Sequence, residues 1–418
     1  MPVRATKRGA ARTPLHGEWD VVICGASFAG LTVARELART DARVLIIDRY
    51  EIGERQTSAC AAPTTWLEYM GLMDSVQQTF GELVVHTPGR TQRWPLPFTF
   101  STFDYRRICA LLREQSEGSA VFETATIKGP PARTGFTVHT DRGDVSAPLI
   151  VDALGWRRIL GPGANVQPPD ARLSRGLEIH PHARGDDLEL WIDPKYVKRG
   201  YSWSFPADGE LRVGVGSFDP RDHVKEPTVQ LAEDVGVPAE RWQGNWIPHQ
   251  LRPATEDGIF FVGDSAGHCL PTTAEGIRPA FYFGLALGRE LVDVVEGRQT
   301  REQALTRYGA FSHDHLWQYR WLLRVQNWVG RITPTRLLTP AIRAISPPGL
   351  VRWAFGSYRD ICPPEYVLNR SRSGVLERQQ TIGVSAGPDG QRAEVAGDGV
   401  HQQRPGDDQL QQASSQSM

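Results

Sequence analysis

Apolar positions divide the chain into segments of different character. Val21, Val22 and Ile23 form a short apolar run that stops at Gly25, as a buried parallel strand does. Leu31, Val33, Ala34 and Leu37 then recur at helical spacing. Arg43–Ile47 reads as a second strand, with Asp48 and Arg49 at its end. Leu149–Val151 and Ile259–Val262 are two more short apolar runs, and a helix rich in Ala, Gly, Leu and Phe follows Gly276. Leu188–Trp191, Tyr201–Phe205 and Leu211–Phe218 alternate or run in β-rich fashion between Asp-Gly and Pro turns. Helical spacing returns around Arg106–Glu114 and over most of 311–372. Residues 1–17 have no apolar stretch behind their basic residues. Residues 373–418 are rich in Gln, Gly, Ser and Asp with few large apolar groups, so both ends are expected to be disordered.

The first of these segments carries a chemical meaning beyond burial. Strand, glycine-rich turn, helix, strand and acid, in that order, form a dinucleotide-binding fingerprint. Gly25 permits the tight turn, Gly30 lets the helix pack close to the strand, and the amides near Ser27 and Ala29 face a pyrophosphate. Asp48, with Arg49 beside it, can meet ribose hydroxyls. Ser27 stands where a second glycine is usual, and its side chain is small. The alternative is a glycine-containing βαβ unit with no cofactor.

Two later segments complete the pattern. Gly263-Asp264 ends a strand and leads through Pro271 and Glu275 to Gly276-Ile277, where a helix begins. In flavoproteins that this segment resembles, the Asp of the Gly-Asp pair bonds the ribityl chain of FAD. The helix then points its positive end at the pyrimidine edge of the flavin. Asp152-Ala153-Leu154-Gly155 resembles an Asp-Ala-x-Gly motif that lies under the FAD in one branch of these enzymes.

Outside the cofactor motifs, Tyr201-Ser202-Trp203-Ser204-Phe205-Pro206 followed by Val213-Gly214-Val215-Gly216 discriminates most. It resembles the Tyr-x-Trp-x-Phe-Pro … Gly-x-Gly signature of the geranylgeranyl reductase family of FAD-dependent oxidoreductases, within the p-hydroxybenzoate hydroxylase-like flavoproteins. The resemblance implies an α/β fold: a Rossmann-type FAD-binding domain, an inserted, mostly antiparallel β-sheet substrate domain and a helical C-terminal region. It also implies FAD, reduced by NAD(P)H or a small electron carrier, and hydride transfer to a carbon–carbon double bond of an isoprenoid or other apolar substrate. In strand geometry Tyr201, Trp203 and Phe205 share a face and could line an apolar slot, or fill the core beneath the sheet. Cys60 matches a family Cys approximately, but Ala61 and Ala62 replace the glycines that follow it. It is a candidate for proton delivery, beside flavin-bound water, with a small buried residue as the alternative reading.

Domain limits follow the motifs. Residues 18–85, 101–165 and 255–310 are assigned to the FAD-binding domain, 86–100 and 166–254 to the substrate domain, and 311–372 to the helical region. Within that region, His315 to Arg359 contains no Asp or Glu but holds Arg320, Arg324, Arg331, Arg336, Arg343, Arg352 and Arg359. Trp317, Trp321, Trp328 and Trp353 are interleaved with them. Such a surface suits peripheral contact with a membrane or an anionic lipid head group; otherwise the tryptophans pack on the other domains.

Composition narrows the classes further. A formal charge of −1 over 418 residues argues against a dedicated nucleic-acid protein. No apolar run reaches the ~18 residues of a transmembrane segment. Five cysteines without a CxxC fit a reducing, cytoplasmic setting, membrane-associated if the Trp–Arg surface is used. His180 and His182 flank Pro181 as strand-end residues and no metal site is expected. An NAD(P)H-dependent monooxygenase acting on an aromatic or polyketide-like molecule is the rival reading, because the same fold hosts both chemistries. Halogenation is disfavoured: no Lys occurs between residues 8 and 127.

Overall fold

The computed structural model describes residues 13–56, 59–129, 136–161, 173–329 and 337–369. Most of the N-terminal arm, the tail from 373 onward, and Arg331 and Arg336 lie outside the described residues.

The apolar runs at Val21, Val44 and Leu149 are buried on both faces because they form the middle of a six-stranded sheet. Its order is Thr255–Glu256, Ile259–Phe261, Leu149–Asp152, Val21–Cys24, Val44–Asp48, Ala120–Thr124. All pairings are parallel except the first. Parallel strands need coverage on both sides. The helices Phe28–Leu37 and Ile277–Val295 supply it on one face, packed tightly together. A methyl group at Gly284 would stand 2.9 Å from Thr32 Cβ, and one at Gly288 would stand 2.6 Å from Glu36 Cβ. The two glycines, one turn apart, are what lets the backbones approach.

An eight-stranded sheet stands over this layer, with order Gln243–Pro248, Leu173–Ile179, Glu210–Ser217, Gly200–Ala207, Leu188–Trp191, Val76–Thr87, Arg90–Phe103, Ala61–Pro63. Only Leu188–Trp191 with Val76–Thr87 is parallel. Its membership differs from the sequence assignment. The long hairpin 76–103 and the strand Ala61–Pro63 belong to it, so residues 61–63, 76–85 and 101–103 leave the dinucleotide-binding layer. Val76–Phe80 shows no clean alternation because register shifts interrupt the pairing at Val76/Gln78 and Phe80/Glu82, which hid the strand in the sequence.

The C-terminal helices Leu316–Val329, Leu338–Ile345 and Pro348–Arg359 close one side. Tyr319 and Leu322 are buried with Leu270, and the Tyr319 hydroxyl donates to the His268 carbonyl at 2.5 Å. Among the described residues, no helix is long and apolar enough to cross a membrane.

Candidate active site

Two helices begin without a capping side chain and turn their first residues toward one cavity. Ser27 and Gly276 hold the N-cap positions of Phe28–Leu37 and Ile277–Val295, and neither side chain bonds an end amide. Asp104 and a Thr300–Gln303 capping box cap two other helices, and four more also start without a side-chain cap, so what sets these two apart is that their ends face the cavity. Open amides at a positive helix end suit an anionic group. The cavity occupies about 1830 Å³, beyond the roughly 300–1,000 Å³ of a single drug-sized ligand site.

The separate sequence motifs meet here at contact distance. A methyl at Gly25 (φ +113°) would stand 2.3 Å from the Ala153 carbonyl oxygen, so only glycine fits the turn. One at Gly263 would stand 3.0 Å from Ala29 Cβ, and one at Gly276 would stand 3.5 Å from Asp264 Oδ1. Ser265 Oγ donates to Asp152 Oδ1 at 2.6 Å. Ser27, Ala29, Asp48, Arg49, Gly155, Gly263, Asp264, Gly276 and Ile277 all stand on the cavity wall.

Gly25, Gly30 and Asp152 do not. A methyl at Gly30 would lie 2.0 Å from the Gly25 carbonyl, so that glycine serves helix-on-strand packing. Asp152 departs from the expected cofactor contact. It is fully buried, its Oδ1 accepts from Leu154 N at 2.9 Å as well as from Ser265, and its Oδ2 accepts from Leu160 N at 2.8 Å. The loop after it folds back over the carboxylate, which leaves Asp152 tying two motif segments together one layer behind the wall.

Asp48 lines the wall but is also engaged within the turn, accepting from Ala26 N at 2.9 Å and Tyr50 N at 3.0 Å. Burial pushes its pKa up, and these amides and the Arg49 charge pull it back. Asp264 differs. Among the described residues, none donates a hydrogen bond to its carboxylate. Burial raises its pKa from 3.8 to about 6, with the Arg252 guanidinium opposing. A carboxylate facing a cavity with unused acceptor capacity invites a hydroxyl-bearing ligand. With the two uncapped helix ends and the ample volume, this suits a flavin dinucleotide.

The opposite wall is the large sheet, where apolar side chains stand beside a polar patch around Glu178 and Gln243. One row of side chains runs Gln243, Glu178, Gly214, Trp203, Leu190, Val85 across paired strands. The Trp203 indole lies flat over Gly214: a methyl there would stand 2.4 Å from Trp203 Cζ2 and 2.7 Å from Glu178 Cβ. Gly216 is also beneath the ring, at 3.3 Å from Cζ3. The Gly-x-Gly pattern is therefore space for an indole. Trp203 Nε1 donates to Glu178 Oε2 at 3.1 Å, and His180 Nε2 bonds Glu178 Oε1 at 2.9 Å. Tyr201, Trp203 and Phe205 all reach the cavity. The Tyr201 hydroxyl donates to the Thr273 carbonyl, holding a loop in which Thr272 (φ 71°) and Ala274 (φ 52°) adopt left-handed backbone just before Gly276.

Cys60 is on the wall as well. It is buried with φ 55°, a conformation uncommon outside glycine. Burial pushes its thiol far above the ordinary range, with the Arg212 charge opposing. Arg212 Nη1 donates to the carbonyls of Ala59 and Cys60 at 3.0 and 3.2 Å, pinning this turn.

Sequence reading missed Glu178, Arg212 and His268. Ser174, Gly176 and Glu178 alternate along Leu173–Ile179, which was a usable sign of a polar strand face. His268 is buried, accepts Gly263 N–H on Nδ1 at 3.2 Å and stacks on Phe283 with ring centroids 3.7 Å apart. Burial lowers its pKa well below the usual value, so it is a neutral brace for the Gly263-Asp264 turn. Nothing in its local sequence marks that role.

No family model matches the chain. A digeranylgeranylglycerophospholipid reductase from Methanosphaera stadtmanae is 24% identical over 72% of this chain and 83% of its own. Further relatives carry the same name. The chain is similar to these reductases, in keeping with its resemblance to the geranylgeranyl reductase family of FAD-dependent oxidoreductases. Among solved structures, a geranylgeranyl bacteriochlorophyll reductase-like protein from Thermoplasma acidophilum shares the fold, with TM-score 0.72 and 16% identity, covering 85% of this chain and 98% of the other. A 6-methylpretetramide 4-monooxygenase from Streptomyces rimosus is 28% identical over 70% of this chain and 58% of its own.

Proposed function

We propose that this enzyme saturates a carbon–carbon double bond in an isoprenoid-type or similarly apolar substrate. FAD, when bound, supplies the hydride, after reduction by NAD(P)H or a small electron carrier. The observation that carries the reading is one cavity with a dinucleotide-type cradle on one wall and Trp203, Phe205, Leu188 and Leu190 on the other. An alkene offers no hydrogen-bonding group, so apolar contact must hold it.

In this reading the amides near Ser27 and Ala29 receive the pyrophosphate, Asp48 and Arg49 the adenosine ribose, and Asp264 the ribityl chain. Gly263, Gly155 and Ala153 leave room for the cofactor's approach, and Asp152 keeps its wall in register. The Gly276-Ile277 helix end favours negative charge at the flavin edge. Tyr201, Trp203 and Phe205 shape the slot and exclude water. Cys60 is the candidate proton source on the wall; its raised pKa keeps the thiol protonated near neutral pH. Peripheral contact with a lipid surface through 315–359 belongs to the same reading, since the relatives' names point to lipid substrates.

The test is anaerobic incubation of photoreduced, FAD-loaded protein with prenylated glycerolipids, polyprenyl diphosphates and menaquinones, followed by mass spectrometry. A gain of two hydrogens by one class supports the reading. The Streptomyces rimosus relative favours a second reading, a monooxygenase. That reading requires oxygen for turnover and an added oxygen atom in the product, and an unchanged substrate pool under anaerobic conditions would favour it.

A further inference from the structure

Four tryptophans stand on the surface within two helices. Trp317, Trp328 and Trp353 are 66%, 64% and 66% exposed, and Trp321 is 49% exposed. Large aromatic side chains normally bury most of their area, so a cluster left in water calls for an occupant. The helix Leu316–Val329 explains the arrangement. Its inner side is fixed by buried Tyr319, Leu322 and Gln326, which bond the His268 carbonyl and the Thr272 amide and pack on Leu270. The spacing of Trp317, Trp321 and Trp328 then turns them together toward the opposite, outer side.

The charge on this face has one sign. Arg320, Arg324, Arg343 and Arg352 are exposed, and among the described residues none forms an ion pair with a carboxylate. No Asp or Glu occurs from residue 315 to 359. Trp317, Trp321 and Trp353 also belong to the cavity wall, so the exposed rings rim its mouth.

We propose that this Trp–Arg face docks on an anionic lipid bilayer, setting the cavity mouth against the acyl-chain boundary. Tryptophan rings favour the head-group level, and arginines beside them gain from anionic lipid. A second copy of the chain fits poorly, because a two-fold contact would bring the same arginines together. The proposal rests on the cavity being a site for an apolar substrate, which would enter from the bilayer rather than through water.

The test uses full-length, FAD-loaded protein and vesicles of phosphatidylcholine, alone or with phosphatidylglycerol. Co-sedimentation is expected with the anionic vesicles and is expected to fall at high salt. Tryptophan emission should be quenched by lipids brominated near the head group. A variant carrying Arg320→Gln, Arg324→Gln and Trp328→Ser alters three residues outside the cavity wall. Each arginine is worth about fivefold near an anionic surface, so two give about 25-fold weaker vesicle binding before the tryptophan is counted. Its FAD content and its turnover of a detergent-dispersed alkene should be unchanged. Equal vesicle binding by the two proteins, or self-association that the variant abolishes, would overturn the proposal. Alkene reduction without vesicle binding defeats the docking and leaves the enzymatic reading intact. Vesicle binding without reduction of any alkene does the reverse.

Discussion

Replacing Asp264 with asparagine should move FAD affinity and apoprotein stability in opposite directions. The carboxylate faces the cavity with no hydrogen-bond donor from the described residues, and burial raises its pKa from 3.8 to about 6. The folded apoprotein therefore holds this proton more tightly than the unfolded chain does. Its contribution to stability is complete below pH 3.8 and is lost as pH rises through 6. The interval from 3.8 to about 6, at 1.36 kcal/mol per unit, gives about 3 kcal/mol as the ceiling of the ionisation cost at pH 8. Water in the cavity screens the charge, so the measured effect should fall below that ceiling. Asparagine carries no such charge. The apo variant should melt above the parent at pH 8, with the gap closing toward pH 4. FAD binding should respond the other way. A ribityl hydroxyl donating to a carboxylate is worth about 1.5–3 kcal/mol, so its loss weakens binding roughly 10- to 150-fold. Parent affinity should also rise between pH 5 and 7, with proton release. Differential scanning calorimetry on apoprotein and fluorescence titration with FAD provide both readouts. A variant that melts lower and binds FAD unchanged would show Asp264 to be a structural residue and would refute the argument.

Other substitutions probe the remaining walls. Gly214→Ala places a methyl 2.4 Å from the Trp203 ring and should cost about 1–3 kcal/mol by urea unfolding while shifting tryptophan emission; unchanged emission would mean the indole does not lie there in solution. Glu178→Leu strips the acceptor from Trp203 Nε1 and His180, and should cost about 1–3 kcal/mol, with Glu178→Gln recovering part of it in the same assay. If Cys60 delivers the proton, Cys60→Ala should lower turnover about 10²- to 10⁴-fold and abolish the solvent isotope effect while FAD still binds; full activity would reassign the donor. His268 has a lowered pKa, so its contribution to stability is present above about pH 6.5 and lost as pH falls below it. His268→Asn should therefore lose less melting temperature between pH 7 and 5 than the parent, and an equal loss would remove His268 as the cause.

Much of the cofactor side was legible because its constraints are local. Gly25 and Gly30 occupy backbone positions where a single methyl collides, and such positions mark a sequence strongly. The aromatic strand was also readable, since alternation places Tyr201, Trp203 and Phe205 on one face. What stayed hidden depends on distant partners. Asp152 sits in a motif that points to cofactor contact, yet Leu154, Leu160 and Ser265 take up its oxygens. Glu178 and Trp203 are 25 residues apart and meet only across a glycine in a third strand. The hairpin 76–103 was split by its register shifts. The tryptophans of 317–353 left two outcomes open, and the packing of Tyr319 and Leu322 decides that Trp317, Trp321 and Trp328 face outward.

In the proposed reaction one cavity holds FAD on a polar wall and an alkene on an aromatic one. Anaerobic stopped-flow absorbance of the reduced, FAD-loaded protein mixed with a prenylated lipid tests it most directly. The oxidised flavin spectrum should return in step with saturation of the double bond, slowed by changes at Trp203. Reduced protein that stays bleached with every prenylated lipid until oxygen is admitted would contradict it.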